Sequence, residues 1–543
     1  MYVKRKQKLI IAVSLLVVAC LLAASAYVYI EYFSTKKEIP KVTPTTTVVD
    51  NRISPDVTQG LFLKVNRIRN RGSVDALMSK GSSWKSTPQF YFISNMDGLE
   101  YISKDVAATA GASNEQLFTT WDSWFMENKV QRTAEQEQER SDVTLTIMER
   151  MPLGIFGFRY QDEEQESIQL TYDYKTGRWT GDDSFNDSDG YGHYLGDNYE
   201  VWFYLYQTDY DADFIPYWTE VNILHTNPVV SDLTLDPDGD GCPTTWEWQW
   251  GYDPLVWNNH TSLDPDNDGI TNIQEYQMQN YYSNPFIQNV YLEVDNMQRN
   301  GLLDVNHNLF PETAQFMMEQ YAQHNIILLI DNGWPDTPAN GGGQFVPYYD
   351  VISQDSGMML QFYKHYFPDD RKGIFRYAII ANSAGFCHPS EFNRYDSMAI
   401  STHYNFQYSL LRKAFTQRTK ILAQASELMH ELGHSMGIKH ETIGGCDNFT
   451  YTEGKPQKQT FLDTWGNYRS CMNYYYFWDY SVVDYSDGSN GPEDNDDWAM
   501  IKHNMSYFKQ ESIEIEQTPP PEESTVRAFI PRVMTTADIP PLR

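Results

Sequence analysis

Residues His430 to His440 read H-E-L-G-H-S-M-G-I-K-H, and few local folds can use that spacing. Residues four apart on an α-helix share a face, so His430 and His434 can present their imidazoles to one ion, the spacing of a zinc site. Glu431 lies one residue round from the first histidine, where its carboxylate reaches a water on an open metal position. Gly437 can end the helix in a left-handed conformation denied to most residues, and the turn after it brings in His440 as third ligand. Three neutral imidazoles leave the ion its full double charge, so the bound water is polarised. Glu431 can then act as general base and pass the proton to a leaving amine. The five-residue H-E-x-x-H pattern is common by chance; the eleven-residue run is far more specific. Such a helix must also be packed, and Ile421, Leu422, Ala425, Leu428 and Met429 form its apolar stripe over 418–437.

Around that helix the chain alternates between two patterns. The segments 291–295, 325–331 and 375–381 are short apolar runs that fit buried strands, and 311–323 reads as a helix. Further upstream, 143–148, 167–174 and 199–206 alternate or run in β-prone residues, and 117–128 reads as helical. No grouping of nucleophile, base or ligand stands out between residues 53 and 207.

A second motif is acidic and repeated. Asp236, Asp238, Asp240, Gly241 and Glu247 fit the twelve-residue pattern D-x-D-x-D-G-x5-E, and Asp264, Asp266, Asp268, Gly269 and Glu275 fit it again. A third copy, Asp209, Asp211, Asp213 and Glu220, keeps every carboxylate but carries Phe214 where the glycine belongs. The copies start 27 and 28 residues apart, an internal repeat. Oxygens at positions 1, 3, 5 and 12, with a sharp turn at position 6, can wrap a calcium ion. The expectation is two or three structural calcium ions, with Phe214 counting against the first copy.

At the N-terminus, Leu9 to Ile30 contains no charged residue over 22 positions and follows Lys4, Arg5, Lys6 and Lys8. At ~1.5 Å per residue this spans a ~30 Å hydrocarbon core. The positive-inside rule then places the rest outside the cytoplasm, in a single-pass cell-membrane arrangement. A cleaved signal peptide is the alternative and leaves the protein secreted. The net charge of −32 argues against nucleic acid as partner. Cys446 and Cys471 bracket the stretch after the third histidine, and in an oxidising compartment a disulfide between them competes with two buried thiols.

The run His430 to His440 is the signature of the metzincin clan of zinc endopeptidases, which this chain resembles. The resemblance implies one catalytic zinc on His430, His434 and His440, with Glu431 as general base. It also implies a methionine-bearing turn beneath the metal, here Met472 in S-C-M-N-Y. Tyr474, two residues on, takes the oxyanion-stabilising role that a tyrosine has in the astacin and serralysin branches. The acidic copies resemble thrombospondin type 3-like calcium repeats.

Together these readings predict a multidomain fold. It comprises a basic stub and transmembrane helix (1–35), a Thr/Pro stalk (36–52), a mostly β N-terminal domain (53–207) and calcium-binding repeats (208–285). A metzincin-like α/β catalytic domain (286–508) and a disordered tail (509–543) complete it. The implied activity is hydrolysis of polypeptide substrates by metal-activated water. The rival class is a calcium-binding cell-surface adhesion or scaffold protein with a latent or inactive metzincin domain.

Overall fold

Strands that are apolar on alternate residues need one covered face, and the first half of the protein supplies it by stacking two antiparallel sheets. The computed structural model describes residues 50–53, 58–70, 89–102, 126–133, 138–153, 159–183, 191–302, 304–333, 342–354, 357–387, 395–402, 417–447, 455–477 and 482–509. One sheet has the order β4-β1-β9-β8, from Met126–Thr133, Thr58–Asn70, Tyr199–Gln207 and Gly192–Leu195. The other runs β3-β2-β5-β6-β7, from Leu99–Ile102, Gln89–Met96, Arg140–Leu153, Arg159–Asp173 and Arg178–Gly181. Leu61, Leu63, Val65, Val201 and Phe203 of the first sheet share one core with Phe92, Leu145, Ile147 and Leu170 of the second. The helix expected over 117–128 is not seen where the structure describes that segment. Its last three residues belong to β4, because pairing of Met126 with Val65 and Asn128 with Leu63 satisfies their backbone in a ladder.

The acidic copies follow as three turns, each leading into a short helix. The second leads into α1 (Thr244–Gln249) and the third into α2 (Asn272–Gln277).

Strands buried on both faces need a cover on each side, which parallel sheets obtain from crossover helices. Here β10 (Asn289–Met297), β11 (Ile327–Asp331), β13 (Phe375–Ala381) and β15 (Ser397–Ser401) are parallel, in the order β11-β10-β13-β15. The short β12 (Phe345–Val346) also pairs with β10, and β14 (Phe386–Cys387) closes the other edge antiparallel to β15. Val290, Leu292, Leu328, Ile330, Ala378 and Ile400 face one core, shared with α3 (Pro311–Ala322) and α5 (Gln417–His434). The alternate residues Tyr291, Leu329, Phe375, Tyr377 and Ala399 face a second core under α4 (Met358–His365). The histidine-bearing helix α5 is therefore packed along its length, with Ile421, Leu422, Ala425, Leu428 and Met429 all buried.

The end of the described chain is sewn onto both regions. Arg376, fully buried, donates from Nε to Ser435 Oγ and from NH2 to the Met505 carbonyl, at 2.8 Å each. Lys509 Nζ donates to the Gly269 carbonyl in the third acidic turn, and Gln288 donates to the Lys502 carbonyl.

The architecture is thus a mixed α/β protein with several sheets, and the expected fold with a membrane-spanning helix is corrected. Among the described residues no helix is long and apolar enough to cross a membrane. The long helix α5 carries Lys420, Glu427, His430, Glu431 and His434, charge and polarity that hydrocarbon would not accept. The stretch Leu9 to Ile30, the stalk residues before Asp50 and the tail after Lys509 lie outside the described residues.

Candidate metal centres

The last turn of α5 builds the histidine centre. Gly437, at φ 84°, donates to the His434 carbonyl, and Ile438 N–H reaches back to the Gly433 carbonyl at 3.2 Å. This is the left-handed helix stop that glycine permits. The same turn aims the Ile438 carbonyl at His434 Nδ1, 2.6 Å away, while His430 Nδ1 lies 2.9 Å from the Cys471 carbonyl. A carbonyl only accepts, so both Nδ1 atoms carry the hydrogen and both Nε2 lone pairs face outward from the helix. The rings stand 4.8 Å apart and nearly perpendicular.

What they face is Asp447, a residue absent from the sequence reading. His430 Nε2 lies 2.9 Å from Asp447 Oδ1 and His434 Nε2 3.4 Å from Oδ2. Asp447 sits at φ 47°, with its N–H donating to the Met472 carbonyl and the Cys446 thiol bonded to its carboxylate. Oδ1 is buried, and the His430 imidazole lies directly against it. Two imidazole nitrogens and a carboxylate oxygen converging within 4.8 Å form a donor set that could hold a cation. Imidazole nitrogen with carboxylate oxygen is a set that zinc accepts, so the residues fit that ion. Without metal, burial works against a charged His430, but the Asp447 carboxylate outweighs it and holds the ring up to about 9.

The other expected residues fall around this point. Glu431 is buried, and burial pushes its carboxyl up to about 7 against the pull of His430, while the Cys387 N–H at the sheet edge bonds to it. His440 stands at the rim with a ring 63% exposed, its Nε2 3.3 Å from Glu441 and its Nδ1 4.0 Å from Asp447 Oδ2. The structure therefore joins His430, His434 and Asp447, and leaves His440 one step outside. Tyr474 stacks on the His430 ring at 5.3 Å, and its hydroxyl bonds to Asp447. Met472 is fully buried beneath the helix, where a Cβ on Gly433 would come 2.6 Å from its Sδ.

Cys446 and Cys471 are buried free thiols, one of the two alternatives that the sequence left open. The reason is local: the Cys446 thiol is engaged as a donor to Asp447. Asp447 was missed because its reach depends on two tight turns, at Gly445 and at Asp447 itself, and not on a helical repeat.

The three acidic turns share one backbone. Position 4 has positive φ in each (Ala212 61°, Gly239 80°, Asn267 61°), and so does position 6 (Phe214 71°, Gly241 103°, Gly269 88°). The first aspartate of each turn accepts from the N–H groups of positions 5 and 6. Buried carboxylate oxygens without partners occur in all three, on Asp211 and Glu220, on Asp238 and Glu247, and on Asp266 and Glu275. Such oxygen-only sets suit a hard cation such as calcium. Burial and the crowding of like charge raise Asp266 and Glu220 each to about 9, values that a calcium ion would reverse. His260, also missed in the sequence, enters the second turn with Nε2 3.2 Å from Asp240 and 3.4 Å from Glu247.

No family model, curated protein or solved structure matches this chain.

Proposed function

We propose that this protein is a zinc-dependent endopeptidase of the metzincin kind, stiffened by structural calcium. One observation carries the reading: His430 Nε2 and His434 Nε2 converge on the two oxygens of the Asp447 carboxylate, beside the buried acid Glu431. His430, His434 and Asp447 would hold the ion, with His440 next in reach. Zinc bound there supplies a Lewis acid that acidifies water and polarises a carbonyl.

The remaining work falls to the chain's own groups. Glu431 sits in a dry pocket that raises its affinity for a proton, so its carboxylate can take one from water and return it to the departing amine. The Cys387 N–H fixes that carboxylate. Tyr474 brings a hydroxyl to Asp447 and offers a donor to a developing oxyanion. The edge strand β14 runs beside Glu431, and a sheet edge suits an extended polypeptide as substrate. In the acidic turns, bound calcium would neutralise carboxylates that otherwise repel one another.

The test is cleavage of an unfolded protein by the purified chain, beside Glu431→Gln and a zinc-stripped sample, with metal content measured in each. Cleavage only by the zinc-loaded wild type supports the proposal. Zinc bound one-to-one with no cleavage by any sample would overturn it in favour of a binding protein.

A further inference from the structure

We propose that the first acidic turn, the copy with Phe214 in place of glycine, is a full calcium site, that Asp232 supplies it with a fifth carboxylate, and that it fastens the β-sandwich to the rest of the protein. The proposal rests on the calcium reading of the repeats.

Three observations lead there. The first is that Phe214 does not spoil the turn. It adopts φ 71°, the left-handed conformation of Gly241 and Gly269, and its ring packs edge-on against Tyr204 and Tyr206 of β9 at 5.8 Å each. Those contacts offset the strain that a side chain suffers in that region.

The second is the match of hydrogen bonds among the three turns. One oxygen of the position-5 aspartate accepts from the following hydrophobic or thiol residue: Ile215 on Asp213, Cys242 on Asp240, Ile270 on Asp268. Its other oxygen accepts from a backbone N–H further on: Asp232 on Asp213, Asn258 on Asp240, Asn289 on Asp268. Asp232 thus occupies the place that asparagine holds in the two complete copies.

The third is what Asp232 does there. It is only 2% exposed, its Oδ2 has no hydrogen-bond partner, and its carboxylate gathers with those of Asp213 and Glu220 within 4.8 Å. Glu220 is fully buried, and its Oε2 is likewise unpartnered. The second turn has His260 against its acids, and the third has Lys509 close enough to favour the charged form of Asp268. Among the described residues no basic side chain pairs with the first turn. Five clustered acids, three of them (Asp211, Glu220 and Asp232) with orphaned buried oxygens, and no counter-charge require a cation.

The same segment makes the joint to the sandwich. Asn222, two residues past Glu220, exchanges hydrogen bonds with the backbone of Asp50, and Thr219 Oγ1 donates to the Lys175 carbonyl. An ion on Glu220 therefore bears on a turn anchored at both sides.

The experiment is a count of calcium ions bound per full-length chain by equilibrium dialysis, for the wild type, Asp232→Asn, and a double variant Asp236→Asn/Asp264→Asn. Asp232→Asn keeps the backbone N–H and copies the natural residue of the other two turns, so the fold is preserved. Expected are three ions in the wild type, two in Asp232→Asn or a third weakened at least tenfold, and one in the double variant. Two ions in the wild type, or three with unchanged affinity in Asp232→Asn, would overturn this proposal alone. No bound calcium in any chain would overturn the calcium reading of the repeats with it.

Discussion

His430 and His434 owe their orientation to neutral groups: the carbonyls of Cys471 and Ile438 hold their Nδ1 atoms, and a packed helix carries both rings. The acidic turns are held by charge. Their aspartates fold the backbone around themselves, then stand close together with buried oxygens that nothing satisfies. The first centre is organised by neutral supports; the second is organised at the cost of repulsion, which a bound cation would relieve. Preorganisation favours catalysis, where geometry must not relax. Repulsion favours a structural switch, where the ion's binding energy becomes folding energy.

The largest effect that can break this comparison is at Glu431. Glu431→Gln should lower peptide hydrolysis by about 10²–10⁴-fold with zinc content unchanged, as read by cleavage rate against metal analysis. An active variant would remove the catalytic half of the contrast. Next is the choice of third ligand. Asp447→Ala should cost more zinc affinity than His440→Ala, measured by competition with a chromophoric chelator. The reverse order would show that the rim histidine, not the carboxylate, completes the set.

The contrast itself is sharpened by amide exchange. Removing zinc should leave protection of helix 417–434 close to that of the holo form, whereas removing calcium should expose turns 209–275. The calcium-free protein should also lose stability as pH rises from about 4 toward 9, followed by thermal melting. The sign comes from acids whose folded-state affinity for protons exceeds that of the unfolded chain. Asp211, Asp213 and Asp232 rise to about 6, and Glu220 and Asp266 to about 9, chiefly through burial. The folded state thus binds more protons in that window, and its advantage is lost as they leave. Saturating calcium should abolish the slope. Smallest is Gly433→Ala, whose methyl would meet Met472 Sδ at 2.6 Å and the Tyr485 ring at 3.0 Å. Overpacking of this kind costs about 1–3 kcal/mol, and a shift of the denaturation midpoint would measure it.

How much of this was legible depended on whether a residue's role followed from local spacing. His430, Glu431, His434 and Gly437 act through one helix and its stop, so periodicity sufficed. The runs 291–295 and 375–381 fall within β10 and β13, and 325–331 covers β11 with two residues to spare at its start, because a strand buried on both faces needs only apolar length. Asp447 and Asp232 act through irregular chain whose course is set by packing, and no period marks them. The segment at 126–128 misled because its own preference was overruled by an available strand edge on β1. Phe214 misled in the opposite sense: the rule that glycine belongs there is sound, but two tyrosines on another strand compensate for breaking it.

The stitch between Lys509 and Gly269 joins residues 240 positions apart in sequence. During translation at ~5–20 residues per second, the third turn therefore waits roughly 12–48 s for the residue that closes over it. In that interval its acids have no lysine beside them, and the sheet that follows is still being made. The helix that carries His430 and His434 is tied by Arg376, through Ser435, to the Met505 carbonyl, a clamp that closes only once Met505 has been added.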